Sequence, residues 1–483
     1  MNTSAAQLPK QPAVLKLSFF TSMCERFGFY ILTFLIVLYA KSEYGLSDSS
    51  AFLLYGAFSA LAYLATAAGG YLADNVFGVR RCIIFGLIGE SIGLMLLALP
   101  GKTIFSIALG LIIVGVGLFK TGPTHLLGRS YQENDPRIDS GFTLYYMGMN
   151  VGSFISSLLA SIIQLYFGWH VAFLYGGIGI AFGLIAYFIF RKTATDIDSA
   201  PGMRKLPVKT WEKMIVGIII VAFTGAFLIT HPNLTNIFLI IATAGLFSYL
   251  IYEITKSPKN EKFKIIACLS LITMGLIFFI LYQQAYTSMV LFINRCVNRH
   301  VFGKEIQTVA FFALNPFWIV ILSPLLSALY NSLNKRKKVF PITAKFPIGV
   351  LLISLCFASL VAGAHFASAS NQVSSWWVVL AYLLFTAGEM FVSALGPAMI
   401  TQIAPKRMYG IMMGTWFVVT LSLSAILGSM FAGIASVPDT LVDSTAILHI
   451  YSQAFTKFTI TAMVAAALCF AVGPIIKRMA ETK

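Results

Sequence analysis

GGYLADNVFGVRR, residues 69–81, joins two apolar runs, and its short polar middle decides how the chain is read. The flanking runs, 49–74 and 80–99, are each long enough to cross a hydrocarbon core, for which about 20 residues suffice. Gly70 and its neighbour Gly69 let helices approach closely, and Asp74 can cap the helix that follows. Gly78 supplies a tight turn, and Arg80 and Arg81 hold that turn on the cytoplasmic side. A hairpin of two spanning helices is the unit, and the question is how often it recurs.

Composition answers in the same sense. The 483 residues are 58% hydrophobic and only 11% charged, against roughly 25% charged in soluble domains. The pattern predicts an all-α polytopic membrane protein with fourteen transmembrane helices, over 14–41, 49–74, 80–99, 103–127, 140–167, 171–191, 212–230, 234–254, 264–293, 306–332, 343–365, 375–402, 409–434 and 448–477. The first 13 residues, MNTSAAQLPKQPA, lack an apolar core and a cleavage site, so the first helix is expected to act as the insertion signal.

The net charge of +16 is a matter of topology. Cations gather in RR at 80–81, RK at 191–192, KRKK at 335–338, KR at 406–407 and KR at 477–478, while THPNLT (230–235) and HFASASNQVSS (365–375) carry no Lys or Arg. With a cytoplasmic N-terminus most Lys and Arg fall inside, and an even number of helices returns the C-terminus to the cytoplasm. The expected partner is the lipid bilayer, and no nucleic acid is called for. The six cysteines (Cys24, Cys82, Cys268, Cys296, Cys356, Cys469) and six histidines show no metal-ligand spacing. Neither a metal or cofactor nor an enzymatic cluster is expected.

The longest polar stretch, RKTATDIDSAPGMRKLPVKTWEK at 191–213, reads as a central cytoplasmic linker, 192–211 at its core. It divides an N-terminal six-helix bundle (14–191) from a C-terminal one (264–477), with 212–254 as an inserted helix pair. Two six-helix halves around a midplane site is a common plan of secondary transporters.

Glu25, Arg26, Glu90, Lys120 and Glu389 lie inside apolar runs and are placed within the bilayer. Each costs at least ~2.5–3.5 kcal/mol to insert, so each should have a role. Arg26 and Lys120 put positive charge in the N-terminal half and Glu389 puts negative charge in the C-terminal half. A zwitterion could bridge them, its carboxylate on the cations and its ammonium on Glu389. The plainer readings are a bundle-holding pair for Glu25 and Arg26, snorkelling for Lys120, and packing or an interhelix hydrogen bond for Glu90.

The 69–81 stretch resembles the G-x-L-A-D-x-x-G-R-R signature of the major facilitator superfamily, where it holds helices together at the cytoplasmic face. CERFGFY (24–30), GLFKTGP (117–123), FTLYYMGMNVGSF (142–154) and FTAGEMFVSALGPAMITQIAP (385–405) resemble the proton-dependent oligopeptide transporter family. FALNPFWIVILSPLL (312–326) and YGIMMGTWF (409–417) fit it too, so the resemblance runs in order from about residue 16 to 475. It implies a major facilitator fold and proton-coupled symport of di- or tripeptides or peptide-like solutes by a monomer in a bacterial inner membrane. By the same resemblance, Arg26 and Lys120 face the substrate's carboxyl end, Asn150, Asn315 and Glu389 face its amino end, and Tyr30, Tyr63 and Trp416 are cavity walls. Glu25 and Lys120 form a switchable proton-coupling pair, with Glu389 as a further proton site.

The chain departs from the family's usual pattern. The first Glu of E-x-x-E-R-F is Ser22, the later Arg is Thr33, and YQQ puts Gln283 at the acidic position of F-E-Q. TLSLSA (420–425) replaces the more usual small-residue and Asn pattern. Proton coupling then rests on Glu25, Glu389 or Glu90. A facilitator or exchanger of another small amphoteric or anionic solute is the alternative.

Overall fold

The computed structural model describes residues 10–132, 135, 137–301, 303–335, 342–393, 400 and 402–480. Residues 336–338 of the KRKK run and residues 394–399 and 401 of the FTAGEMFVSALGPAMITQIAP stretch lie outside the described residues. Among those described, twelve helical segments are long and apolar enough to cross a membrane.

α1 (Val14–Tyr44) ends at Gly45, whose φ of 61° a side chain would disfavour, and α2 (Asp48–Leu72) begins three residues on. A wide helical turn, Ala73–Phe77, and Gly78 (φ 90°, ψ 145°) then reverse the chain into α3 (Val79–Leu96). The predicted helix 103–127 is two pieces, α4 (Lys102–Phe119) and α5 (Gly122–Arg129), with Pro123 in the first turn of α5. α6 (Ile138–Phe190) leaves helical geometry at Gly168 (φ 83°, ψ 178°), inside the gap predicted between 167 and 171. α7 (Val208–Thr230) and α8 (Pro232–Lys256) follow the linker.

The predicted helix 264–293 is also broken: α9 (Lys259–Tyr282) and α10 (Ser288–Cys296) flank a 3₁₀ turn at Gln283–Tyr286. The two glutamines bring hydrogen-bonding groups to this break, and Gln284 donates to the Gly428 carbonyl at 2.8 Å. α11 (Leu314–Lys335), α12 (Ile342–His365) and α13 (Ser375–Val392) come next. α14 (Tyr409–Phe417) and α15 (Ser424–Ala432) are joined by a wide turn, Val418–Leu423, and α16 (Ser444–Ala480) closes the chain. Val297–Asn298 and Val373–Ser374 form a short parallel pair.

By its contacts the chain forms two compact units, one running to Leu32 and resuming over Leu64–Ile229, the other comprising Thr33–Tyr63 and the chain from Thr230 onward. The division cuts α1 and α2 in mid-length. In the first unit helices approach through small residues: a Cβ at Gly69 would strike the Gly117 carbonyl, and one at Gly110 the Ala222 carbonyl. Such contact is how apolar helices associate where no hydrophobic drive separates helix from lipid. Ile185, Phe223, Ile241, Val320 and Leu468 remain exposed, as lipid-facing side chains do.

The second unit is built round an aromatic core of Phe292, Phe357, Tyr451, Phe455 and Phe458. Beside it lies a fully buried carboxylate. Asp48, first residue of α2, takes Lys41 Nζ at 2.6 Å and Arg295 in a fork at 2.6 and 2.9 Å. The Val437 N–H adds a bond at 3.0 Å, and Arg295 also donates to the Tyr451 hydroxyl at 2.9 Å.

Candidate functional site

The first unit holds its ionisable residues together. Glu25 is 1% exposed on α1; Arg26 Nε lies 3.7 Å from one of its oxygens and Lys120 Nζ 4.0 Å from the other. At these separations the carboxylate is paired by charge rather than by short hydrogen bonds. Lys120 reaches this point because it sits at the break between α4 and α5, its ammonium 4.5 Å from the Phe29 ring centroid. The Arg26 guanidinium lies over Tyr30 at 5.7 Å. Gly152 of α6 meets the Met23 carbonyl and Arg26 Cβ, which is what lets α1 and α6 close here. Asn150, on the same stretch of α6, donates to the Tyr146 carbonyl of its own helix at 2.9 Å.

Two of the departures from the family pattern, Ser22 and Gln283, have neutral partners. Ser22 donates to the Tyr145 hydroxyl at 3.2 Å, which also accepts from Thr124. In the second unit Tyr55 donates to Gln283 Oε1 at 3.0 Å.

That unit carries its own centre. Glu389 on α13 accepts from Asn315 of α11 at 2.7 Å and from the Tyr282 hydroxyl at 3.3 Å. Asn315 donates also to Thr386 at 3.1 Å. Tyr282 stacks on Phe385 at 4.7 Å, and Tyr286, four residues on, joins Phe34, Tyr55 and Phe312 in an aromatic box. Trp416 is 3% exposed, packed on Phe279 and Phe346, with Phe279 between it and Tyr282. It is a packed corner of this centre.

Residues 69–81 form a third arrangement. The sequence offers Asp74 as the cap of α3; Asp74 instead meets His125 at 3.0 Å, and the cap comes from the linker. Asp198 accepts the Val79 N–H at 2.8 Å and Arg80 Nε at 2.8 Å, while Arg129 donates to its backbone carbonyl. Arg81 donates to the carbonyls of Phe77, Pro201 and Arg204 and lies over Trp211. Gly78 has no room for a Cβ against Gly202. Asp198→Ala strands a buried N–H and an arginine, a loss of about 1.5–3 kcal/mol. We expect a melting temperature several degrees lower in detergent; an unchanged melt would show that the linker is merely draped there.

A family model described as the POT family matches residues 80–448. The chain belongs to the POT family. It is 35% identical over 479 residues to dipeptide and tripeptide permease B of Photorhabdus asymbiotica, covering 99% of this chain and 98% of that protein. It is 34% identical over 485 residues to dipeptide and tripeptide permease B of Salmonella typhimurium, covering 100% and 99%. Among solved structures it resembles tetrameric PepTSo2 (TM-score 0.87, 32% identity, 97% and 99% covered). It also resembles the peptide transporter POT in complex with sulfate (TM-score 0.82, 26% identity, 97% and 96% covered).

Within this POT-family chain, Glu25, Arg26, Tyr30 and Lys120 come together in one unit, and Asn315 and Glu389 in the other. Sequence reasoning passed over Asp198, His125, Tyr282 and Tyr286. The tyrosine spacing of four along a helix end was a usable signal; nothing local to Asp198 pointed to α3. For Glu90 the sequence predicts packing or an interhelix hydrogen bond. The hydrogen bond is absent among the described residues: neither carboxyl oxygen has a partner.

Proposed function

We propose that this chain is a secondary transporter that moves di- or tripeptides, or peptide-like solutes, together with protons by alternating access. The observation that carries the reading is opposite charge in two apolar settings: Arg26 and Lys120 around Glu25 in one unit, Glu389 held by Asn315 and Tyr282 in the other. These are the two charges that a peptide's termini require. The substrate carboxylate engages Arg26 and Lys120, its ammonium engages Glu389, and Asn150 and Asn315 supply amide contacts near the amino end. Tyr30 is a wall, with Trp416 behind one. The names of the permease relatives support the substrate class.

Coupling follows from competition. Lys120 is a loose partner of Glu25, so a carboxylate arriving on Lys120 leaves Glu25 to take a proton. A proton moving inward releases ~2.3 kcal/mol per 100 mV of membrane potential, which suffices for accumulation. The second reading, a facilitator or exchanger of another amphoteric or anionic solute with weaker coupling, draws on Ser22 and Gln283, both neutral and hydrogen-bonded to tyrosines.

The remaining organisation is proposed in the same sense. Splitting α6 at Gly168 and counting α3, an 18-residue helix that carries the charges of Arg80, Arg81 and Glu90, takes the twelve apolar spans to fourteen. α7 and α8 are the inserted pair, 212–254, between bundles 14–191 and 264–477. Both termini are cytoplasmic in a bacterial inner membrane, the chain works as a monomer, and it carries out no covalent chemistry.

The test is uptake of labelled dialanine into proteoliposomes with and without an inward proton gradient. Gradient-stimulated accumulation is expected; uptake that ignores the gradient favours the facilitator. Glu389→Gln keeps a carbonyl oxygen to accept from Asn315 and an NH2 that can donate to the Tyr282 hydroxyl, but removes the charge. It should raise the KM for dialanine about 10- to 100-fold, the worth of ~1.5–3 kcal/mol for a charge-assisted bond. Competition by N-acetyl-dialanine, which lacks the ammonium, should be the same in both proteins.

A further inference from the structure

Among the described residues, Glu90 is a carboxyl of the first unit's apolar interior that the proposed cycle has not used. It lies in mid-α3, fully buried, with neither oxygen hydrogen-bonded among the described residues. Its Cγ rests against the backbone of Gly115 on α4, where any side chain would collide with it. Gly86 and Gly93, one turn away on either side of Glu90, meet the Gly115 and Ala108 carbonyls. The two helices are thus drawn together around this one carboxyl. As a filler of that space an acid is the worst choice: a methionine or leucine would pack equally and bring no stranded oxygens.

What the position offers is a set of charges. Those that act on Glu90 are Glu25 and Arg26 from α1 and Lys120 from the break after α4. α6, which packs on α3 where Ser91 donates to the Gly177 carbonyl, adds none among the described residues. Glu90 therefore feels the charges of Glu25, Arg26 and Lys120 together while hydrogen-bonding to none of them.

We propose that Glu90 is a proton-binding residue of the transport cycle, holding the transported proton while a carboxylate-bearing substrate occupies Arg26 and Lys120. Charge counting gives the sequence of events. With Glu90 as the neutral acid, two cations and the Glu25 carboxylate sum to one positive charge, which a substrate carboxylate neutralises. When substrate leaves toward the cytoplasm the positive charge returns, the Glu90 O–H bond breaks, its proton passes to water, and the four side chains are again neutral. Rebinding of a proton from outside restores the receptive form. One proton moves with each carboxylate: the proton that the substrate's competition for Lys120 draws toward Glu25 comes to rest on Glu90, which leaves Glu25 ionised, and the neutral Ser22 and Gln283 need not take part.

This inference rests on the transport reading, and the experiment separates the two. Wild type, Glu90→Gln, Glu90→Met and Glu90→Asp are reconstituted, and dialanine accumulation under a proton gradient is measured beside gradient-free dialanine exchange. Lumenal acidification is followed with a trapped pH dye. Glu90→Gln and Glu90→Met should keep exchange within about twofold but lose accumulation and substrate-dependent acidification at least tenfold, with a flattened pH profile. Glu90→Asp should restore part of both. Coupled accumulation by Glu90→Gln at the wild-type proton-to-dialanine ratio overturns the proposal. So does failure of both uncharged variants to fold, since the carboxyl would then be structural. Absence of any dialanine uptake by wild type sinks the transport reading itself.

Discussion

Arg26→Ala should reduce dialanine uptake at low substrate by roughly 100-fold, while the protein still folds. The guanidinium is half-buried between the Glu25 carboxylate, the Tyr30 ring and the Met149 thioether, whose sulfur lies 3.8 Å from Nη2. A planar fork held by an aromatic face and a soft sulfur is pre-shaped for a second carboxylate, which it can grip with two parallel N–H bonds. Losing a bidentate charge-assisted contact costs about 3 kcal/mol, hence the factor. Arg26→Lys, which keeps the charge and loses the fork, should fall between. The comparison that isolates the carboxyl end uses dialanine amide as competitor: it should inhibit wild type and Arg26→Ala alike. Should free dialanine be taken up by Arg26→Ala within twofold of wild type, the assignment of this residue to the substrate is wrong. A melting curve like that of wild type is needed beside the transport data, since Glu25 also leans on Arg26.

The largest expected effect on stability belongs to Asp48→Ala. This carboxylate is fully buried and accepts from Lys41, both arms of Arg295 and the Val437 N–H. Removing it strips Arg295 of its buried carboxylate and leaves Lys41 with the exposed Asp439 at 3.2 Å, a cost of about 3–5 kcal/mol for breaking a buried pair. We expect a melting temperature lower by several degrees in detergent, and Asp48→Asn to recover only part of the loss. The double variant Asp48→Ala with Arg295→Met should be more stable than Asp48→Ala alone, because it removes one stranded charge. Equal melts for Asp48→Ala and wild type would show that the network contributes nothing net, as a buried ion pair sometimes does.

Much of the candidate site was legible from the chain because charge inside a long apolar run is costly and therefore conspicuous. Glu25, Arg26, Lys120 and Glu389 stand out in this way, and Asn315 is found bonded to Glu389 as its place in the same half suggests. Helix interruptions were less legible. The breaks after Lys120 and at Gln283–Tyr286 coincide with short polar dips, KTGPTH (120–125) and YQQAYTS (282–288), which are too brief to end a spanning run, so apolar length alone merges the pieces. Trp416 could have been wall or packing by sequence, and its burial on Phe279 and Phe346 is a matter of which face α14 turns inward.

The sequence by itself determined the solvent this protein lives in, the number and length of its apolar runs, and which ionisable residues those runs must shelter. Each of these depends on a property summed along the chain, the transfer of side chains from water to hydrocarbon. Only the tertiary structure decided which charges meet. Asp198 caps α3 from 119 residues away, and Asp48 finds Arg295 across 247. Among the described residues Glu90 has no hydrogen bond, and Gly115 lets α4 come up against it. Pairings of this kind depend on the approach of distant backbones, which no local pattern encodes.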